Sequence, residues 1–198
     1  MIFMDESMNP NRTALLVMDF QADIVAMLGE RAAPLLERVA GVVAAARAAK
    51  LPIIYVVVGF RPGYPEVSPR NASFAAAAKS GRFVAATPGT DIAPAVGPAA
   101  GDVVVVKHRV SAFAGTDLEM ILRAREIDTL ILAGIATSGV VLSTVRHAAD
   151  ADYRLVVVED GCADLDPEVH RVLTEKVFVR QATVVAASAV PGMLRADS

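Results

Sequence analysis

Residues 129–158, TLILAGIATSGVVLSTVRHAADADYRLVVV, decide the fold of this chain. Two apolar runs, Thr129–Ala133 and Leu155–Val158, flank a helical pattern over Ser138–Ala149. Apolar runs without polar alternation are typical of strands that are covered on both faces, and such strands belong to largely parallel sheets. The stretch therefore predicts a strand–helix–strand unit.

The same alternation continues in both directions along the chain. Further strands are predicted over four apolar runs: Ala14–Asp19, Ile53–Val58, Val103–Val106 and Thr183–Ala187. Further helices are predicted over three segments: Ala32–Lys50, Thr116–Arg125 and Pro167–Phe178. This order predicts an α/β fold, a three-layer α/β/α sandwich with a mostly parallel six-stranded sheet. We expect a flexible N-terminus over residues 1–12 and a single domain over 13–198.

Composition and charge limit the partners and the location of the protein. The 198 residues are 54% hydrophobic and carry a net charge of −3 without a basic run, so we predict no nucleic-acid partner. No apolar run approaches the roughly 20 residues of a membrane span, and the acidic start lacks the features of a signal peptide. A single cysteine, Cys162, excludes an intramolecular disulfide and favours a cytoplasmic location.

Charged residues stand at the ends of two predicted strands. Asp19 ends the first strand and Lys107 follows the third. Ligands of open parallel sheets bind outside the carboxyl ends of the strands, and an isolated buried charge is costly. The two side chains are therefore expected to pair or to face a wet cavity. A structural ion pair at the sheet edge explains the same pattern equally well.

The segment GIATSGV, residues 134–140, joins a predicted strand to a helix. A helix N-terminus presents unpaired backbone N–H groups, which suit an anion or an oxyanion. The alternative is an ordinary junction capped by Thr137 or Ser138.

Four segments together resemble the isochorismatase-like, or cysteine hydrolase, superfamily in order, spacing and local residues. They are LLVMDFQADIV (15–25), VVVKHRVSAFAGTDLEMILR (104–123), IDTLILAGIATSGVVLSTVRHAADADYRLVVVEDGCAD (127–164) and DPEVH (166–170). The resemblance implies an Asp–Lys–Cys triad that hydrolyses amides, with Asp19 and Lys107 as its first two members. The cysteine position falls on Val140. The resemblance also implies a cis peptide at Ile135–Ala136 and an oxyanion hole formed by the N–H groups of Ala136 and Val140.

Val140 removes the usual chemistry, because a valine side chain has no lone pair with which to form a thioester. True isochorismatases of the superfamily also lack the cysteine, and they protonate a vinyl ether and add water. The resemblance therefore implies a cysteine-independent hydrolase of a small metabolite, with Asp19 as general acid or base. Lys107 is expected to hold the carboxylate or bind an anionic substrate. Cys162 is the alternative nucleophile, although a small buried cysteine is a common structural filler.

Two function classes compete with the hydrolase. The first is a catalytically silent family member that binds a small ligand or a protein partner, which Val140 favours. The second is a nucleotide-binding protein, which is disfavoured because GIATSG is neither a GxGxxG sequence nor a P-loop.

Four residues are predicted to bind substrate beside the triad positions. Gln21 follows the first strand. Phe113 is the last residue of the sequence SAF (111–113), which the superfamily shares. Arg61 and Tyr64 lie in the long Arg61–Gly101 segment, where a lid or binding loop is expected. Arg61 is suited to bind a carboxylate, and the aromatic rings are suited to wall a pocket.

We predict no metal and no cofactor. Nicotinamidases of the superfamily place an aspartate and two histidines after the second strand, whereas GFRPGYPEVSPRN (59–71) has no histidine. The three histidines, His108, His147 and His170, are not spaced as metal ligands. Because family members usually assemble, the resemblance implies a homodimer or a higher homo-oligomer that acts on a small molecule.

Overall fold

A computed structural model describes residues 8–194 and contains one six-stranded sheet in which every pair of strands is parallel. The strands are β1 (Thr13–Met18), β2 (Ile53–Val58), β3 (Val103–Lys107), β4 (Thr129–Ile135), β5 (Arg154–Ala163) and β6 (Thr183–Val185). Their spatial order is β3-β2-β1-β4-β5-β6. The prediction of a six-stranded parallel sheet is confirmed.

Helices cover both faces of this sheet. They are α1 (Ala22–Ala26), α2 (Ala32–Ala48), α3 (Ala72–Lys79), α4 (Leu118–Ala124), α5 (Leu142–Asp150), α6 (Pro167–Val172) and α7 (Val190–Met193). Neighbouring residues of β1 enter opposite clusters: Leu15 packs with residues of α2 and α7, and Leu16 with residues of α4 and α5. Side chains alternate across a strand, so the sheet is the middle of three layers, as predicted.

Several predicted boundaries differ from the structure. Helix α3 was not predicted, although Asn71 caps it by accepting the N–H of Phe74 and four successive alanines follow. Helix α5 begins at Leu142, because Thr137–Val141 is an irregular turn in which Gly139 has φ −96° and ψ −107°. The helix predicted over Pro167–Phe178 is regular only to Val172 and continues in irregular turns.

The strand order creates the position of the site. The chain leaves β1 towards β2 on one side and reaches β4 on the other, and ligands of open parallel sheets bind outside the carboxyl ends of strands where the order divides in this way. Asp19 directly follows β1, and the Thr137–Val141 turn follows β4. Both features predicted from sequence therefore lie at the carboxyl ends of two neighbouring strands.

The ends of the described region bear on two other predictions. Residues 1–7 of the predicted flexible segment lie outside the described residues, and Pro10–Arg12 form a 3-10 turn. No helix within residues 8–194 has the length and apolar character needed to cross a membrane.

Candidate active site

A buried ion pair joins the ends of β1 and β3. Lys107 Nζ lies 2.9 Å from Asp19 Oδ2, and the two side chains are 3% and 7% exposed. Strand β2 separates the two strands, so the lysine side chain reaches across its end. The Asp19 amide donates to Val56 O at 2.8 Å, which fixes the aspartate against β2. Of the two arrangements expected from the sequence, pairing and a wet cavity, the structure shows the pairing.

Asp19 is held in an unusual backbone and electrostatic state. Its φ of 59° lies in the left-handed region, which aspartate and asparagine tolerate better than most residues. Its second oxygen, Oδ1, is buried and has no hydrogen-bond partner among the described residues. Burial raises the pKa of Asp19, while the charge of Lys107 and the Val58 amide act against that rise. The site thus holds a carboxyl group with one free oxygen.

The turn after β4 carries Val140, the residue at which the resemblance implies a cysteine. The Ile135–Ala136 peptide is cis, and the Thr137–Val141 turn follows it. Val140 is 2% exposed and belongs to the same apolar cluster as Ala112. An aliphatic side chain therefore fills the position at which the family nucleophile is expected.

Two side chains that the sequence did not point to bind this turn. Asp164 Oδ2 accepts the Ser138 N–H at 2.7 Å, and Thr137 Oγ1 lies 2.8 Å from His170 Nδ1. Both Asp164 and His170 lie in segments that resemble the superfamily. Their distance along the sequence from residues 137 and 138 matches no known motif that would predict the contact. Their proximity is a product of the fold.

Gln21 is fully buried and its polar atoms bind main chain. Its Nε2 donates to Val58 O and to Thr90 O, each at 3.0 Å, and its Oε1 accepts the Val58 N–H at 2.8 Å. Gln21 therefore ties the end of β2 and the segment around Thr90 to the residues that follow Asp19.

The other three predicted substrate-binding residues make contacts outside the ion pair. Arg61 is exposed and pairs with Glu66 at 2.5 Å. Tyr64 donates its hydroxyl to Arg82 O at 2.9 Å. Phe113 is 6% exposed, and its ring stacks on that of His147 at a centroid distance of 4.6 Å. Their contact with a substrate stays a prediction.

Cys162 is a buried core residue of β5. Its Sγ lies 3.9 Å from Leu132 O, and its backbone pairs with Gly134 in β4. Burial raises the pKa of its thiol to about 12, so almost none is thiolate at neutral pH. These properties are those of a structural core residue and not of a catalytic nucleophile that replaces the missing cysteine at position 140. Among residues 8–194, no group of three or more His, Cys, Asp or Glu is placed to hold a metal ion.

Comparison with known proteins identifies the family. Residues 13–189 match the isochorismatase domain. The isochorismatase family protein YecD of Escherichia coli O157:H7 is 33% identical over 179 residues, covering 89% of this chain and 93% of that protein. The ureidoacrylate amidohydrolase RutB of Methylobacterium radiotolerans is 30% identical over 187 residues, covering 83% of this chain and 72% of that protein.

A solved structure agrees with these relatives. The crystal structure of N-carbamoylsarcosine amidase from Thermoplasma acidophilum superposes with a TM-score of 0.74 at 31% identity, covering 89% of this chain and 96% of that one. The domain match spans nearly the whole chain, and the solved structure shares its fold. The chain therefore belongs to the isochorismatase family of hydrolases.

Proposed function

We propose that this protein hydrolyses a small metabolite by direct addition of water, with Asp19 as the group that transfers the proton. The observation that carries the proposal is the free oxygen Oδ1 of Asp19, buried beside an Oδ2 that is paired with Lys107. A buried carboxyl oxygen without a partner costs free energy, which a substrate atom or a water molecule would recover. Function therefore accounts for an arrangement that stability alone disfavours.

The chemistry balances without a covalent intermediate. Protonated Asp19 donates its proton to the substrate, and a water oxygen then adds to the carbon that has become electrophilic. The surplus proton of that water returns to the Asp19 carboxylate, which restores the acid. The adduct then collapses: its new hydroxyl becomes a carbonyl as the bond from that carbon to the leaving group breaks, and the hydroxyl proton passes to the leaving group. The raised pKa of Asp19 supports this role, since a proton donor must hold its proton near the working pH. Lys107 holds the carboxyl group in place and balances its charge when it is ionised.

The remaining residues keep the roles that the sequence and the resemblance predict for them. The N–H groups of Ala136 and Val140 bind a substrate carboxylate or a developing oxyanion. Gln21 positions Asp19 through its three main-chain bonds. Arg61, Tyr64 and Phe113 supply the outer wall of the pocket. The amidase and amidohydrolase names of two relatives favour a substrate that contains a carbonyl group.

The experiment is a turnover assay on a panel of small amides, carbamoyl compounds and carboxylated vinyl ethers, followed by Asp19→Asn on any substrate found. We expect Asp19→Asn to lower kcat by at least about 100-fold, the usual contribution of a positioned acid or base. The exposed Asp117→Asn is the matched control and should leave kcat unchanged. Iodoacetamide should not inhibit the native enzyme. Undiminished turnover in Asp19→Asn would exclude the acid–base role.

One observation favours a second candidate, a silent family member that only binds a ligand or a partner: Val140, at which the resemblance implies the cysteine, is a buried apolar side chain. Val140→Cys separates the two, because it returns the thiol that the resemblance implies to a chain that keeps Asp19 and Lys107. If the rest of the machinery is in place, this variant should form a covalent adduct with a reactive acyl compound, visible by mass spectrometry. Absence of any adduct would count against the alignment of Val140 with the cysteine.

The assembly and the location of the protein stay predictions. A homodimer or higher homo-oligomer follows from the habit of the family, and a cytoplasmic location from the free thiol of Cys162. Light scattering of the purified chain tests the first.

A further inference from the structure

The turn that carries Val140 is held by a carboxylate from the end of β5. Asp164 directly follows this strand, is 6% exposed and accepts the Ser138 N–H through Oδ2 at 2.7 Å. Such a short bond from an amide to a buried carboxylate is among the stronger hydrogen bonds of a protein. It fixes the peptide plane between Thr137 and Ser138.

A second anchor comes from α6. His170 Nδ1 lies 2.8 Å from Oγ1 of Thr137, which is fully buried. The two anchors are connected, since Asp164 Oδ1 also accepts the N–H of Asp166, the residue that caps α6. Burial lowers the pKa of His170; Asp164 and Glu159 act against this, and Arg31 adds to it. The end of β5 and helix α6 therefore hold residues 137 and 138 through one connected set of hydrogen bonds.

We propose that Asp164 and His170 are positioning residues, which hold the turn so that the N–H groups of Ala136 and Val140 point into the site. The inference rests on the proposed function, because it assigns those two amides to the substrate. Thr137 and Ser138 lie between the two amides, so anchoring both residues fixes the peptide planes on either side. Gly139 makes the bend with φ −96° and ψ −107°, and a glycine supplies little restraint of its own. The restraint must come from side chains elsewhere.

The competing explanation is that Asp164 and His170 only stabilise the fold. The two explanations predict different pKa values for a thiol that is introduced into the turn. In Val140→Cys, oriented N–H groups and Lys107 should lower the pKa of the introduced thiol below the free-cysteine value of about 8.5. The pH dependence of its alkylation by iodoacetamide measures that pKa. The native Cys162 stays silent because it is buried.

The direction in which the pKa of the introduced thiol changes distinguishes the two explanations. Asp164→Ala in the Val140→Cys background removes a negative charge, which by itself favours the thiolate and lowers the thiol pKa. Loss of the oriented amides has the opposite effect, and we expect it to dominate, raising the pKa by about one unit. Asp164→Asn keeps an acceptor oxygen for the Ser138 N–H and should not raise the pKa.

Two further comparisons complete the set. Asp160→Ala is the matched control, because Asp160 also lies on β5 and accepts a backbone N–H, that of Ala187 at 2.6 Å, away from the turn. It should leave the thiol pKa unchanged. His170→Ala should raise the pKa, and His170→Asn, whose amide stands close to the Nδ1 position, should restore most of the difference.

A measurement in the otherwise native chain keeps the test independent of the introduced thiol. We expect Asp164→Ala to accelerate amide hydrogen exchange at Val140 and Val141 by about tenfold over Asp160→Ala. A fall of the thiol pKa in Asp164→Ala, an equal rise in Asp160→Ala, or unchanged exchange at Val140 would overturn the proposal. None of these readouts requires turnover, so they succeed or fail separately from the Asp19→Asn assay.

Discussion

At the scale of the residue, the site combines two charges that could be predicted with contacts that could not. Asp19 and Lys107 follow apolar runs, and parallel strands bring their carboxyl ends to one edge, so the placement of both charges at that edge was predictable. The structure shows that they pair, at 2.9 Å. The inward turn of Gln21 onto Val58 and Thr90 was not, because side-chain bonding to main chain leaves no periodic signal. Asp164 and His170 were missed for the same reason.

The ion pair should behave as one energetic unit. Asp19→Asn or Lys107→Met alone leaves an uncompensated buried partner and should lower the free energy of unfolding by about 3 kcal/mol. The double variant should lose about 2 kcal/mol less than the sum of the single variants. Asparagine is chosen at position 19 because it tolerates the φ of 59°. Urea unfolding of the four proteins measures the coupling, and strict additivity would show that the pair contributes nothing jointly.

The pH dependence of turnover distinguishes an acid from a base at Asp19. As a general acid it must be protonated, so kcat/KM should fall as pH rises through its raised pKa. Lys107 lowers this pKa, so Lys107→Met should move the falling limb to higher pH, while Lys107→Arg, which keeps the charge, should move it little. A limb that rises with pH instead would assign Asp19 as the base.

At the scale of the element, the apolar runs predicted the strands well because burial on both faces demands them. Strand β5 extends to Ala163, beyond the predicted Val158, since its pairing with β4 resumes after an irregularity. The polar Glu159 and Asp160 conceal that continuation in the sequence. Helix α3 was missed because prolines and glycines surround its alanine run. The irregular turn before α5 is also invisible, since Thr-Ser-Gly reads as an ordinary helix start.

Gly134 of β4 shows how tightly the elements meet beside the site. A Cβ at this position would lie 3.1 Å from Met18 Cβ and Val141 Cγ2, and 3.2 Å from Met18 O. Gly134→Ala should therefore push β1 or the turn and cost about 1–3 kcal/mol. Gly41→Ala is the matched control: nothing lies within 4 Å of its added methyl, and alanine favours the helix, so it should stabilise by about 0.5–1 kcal/mol. Thermal unfolding reports both signs, and equal effects would refute the contact argument.

At the scale of the whole molecule, the sandwich encloses its only cysteine. Because Cys162 is 4% exposed and the pKa of its thiol is about 12, we expect no alkylation by iodoacetamide at pH 8 without denaturant. Urea should restore the reaction, since the buried strand must open first. Ser73→Cys, on the exposed side of α3, is the control and should be labelled at once in the folded protein. Labelling of Cys162 in the folded state would contradict its burial.

The bonds of Gln21 also determine where this protein tolerates change. They fasten the main chain at Val58 and at Thr90, so the stretch between them is tethered at both ends to the residues that follow Asp19. A closed segment of this kind can vary in length and composition at small entropic cost. Residues 61–70 are thus a natural place to graft loops of other sequence, with Asp19, Gln21 and Lys107 left unchanged.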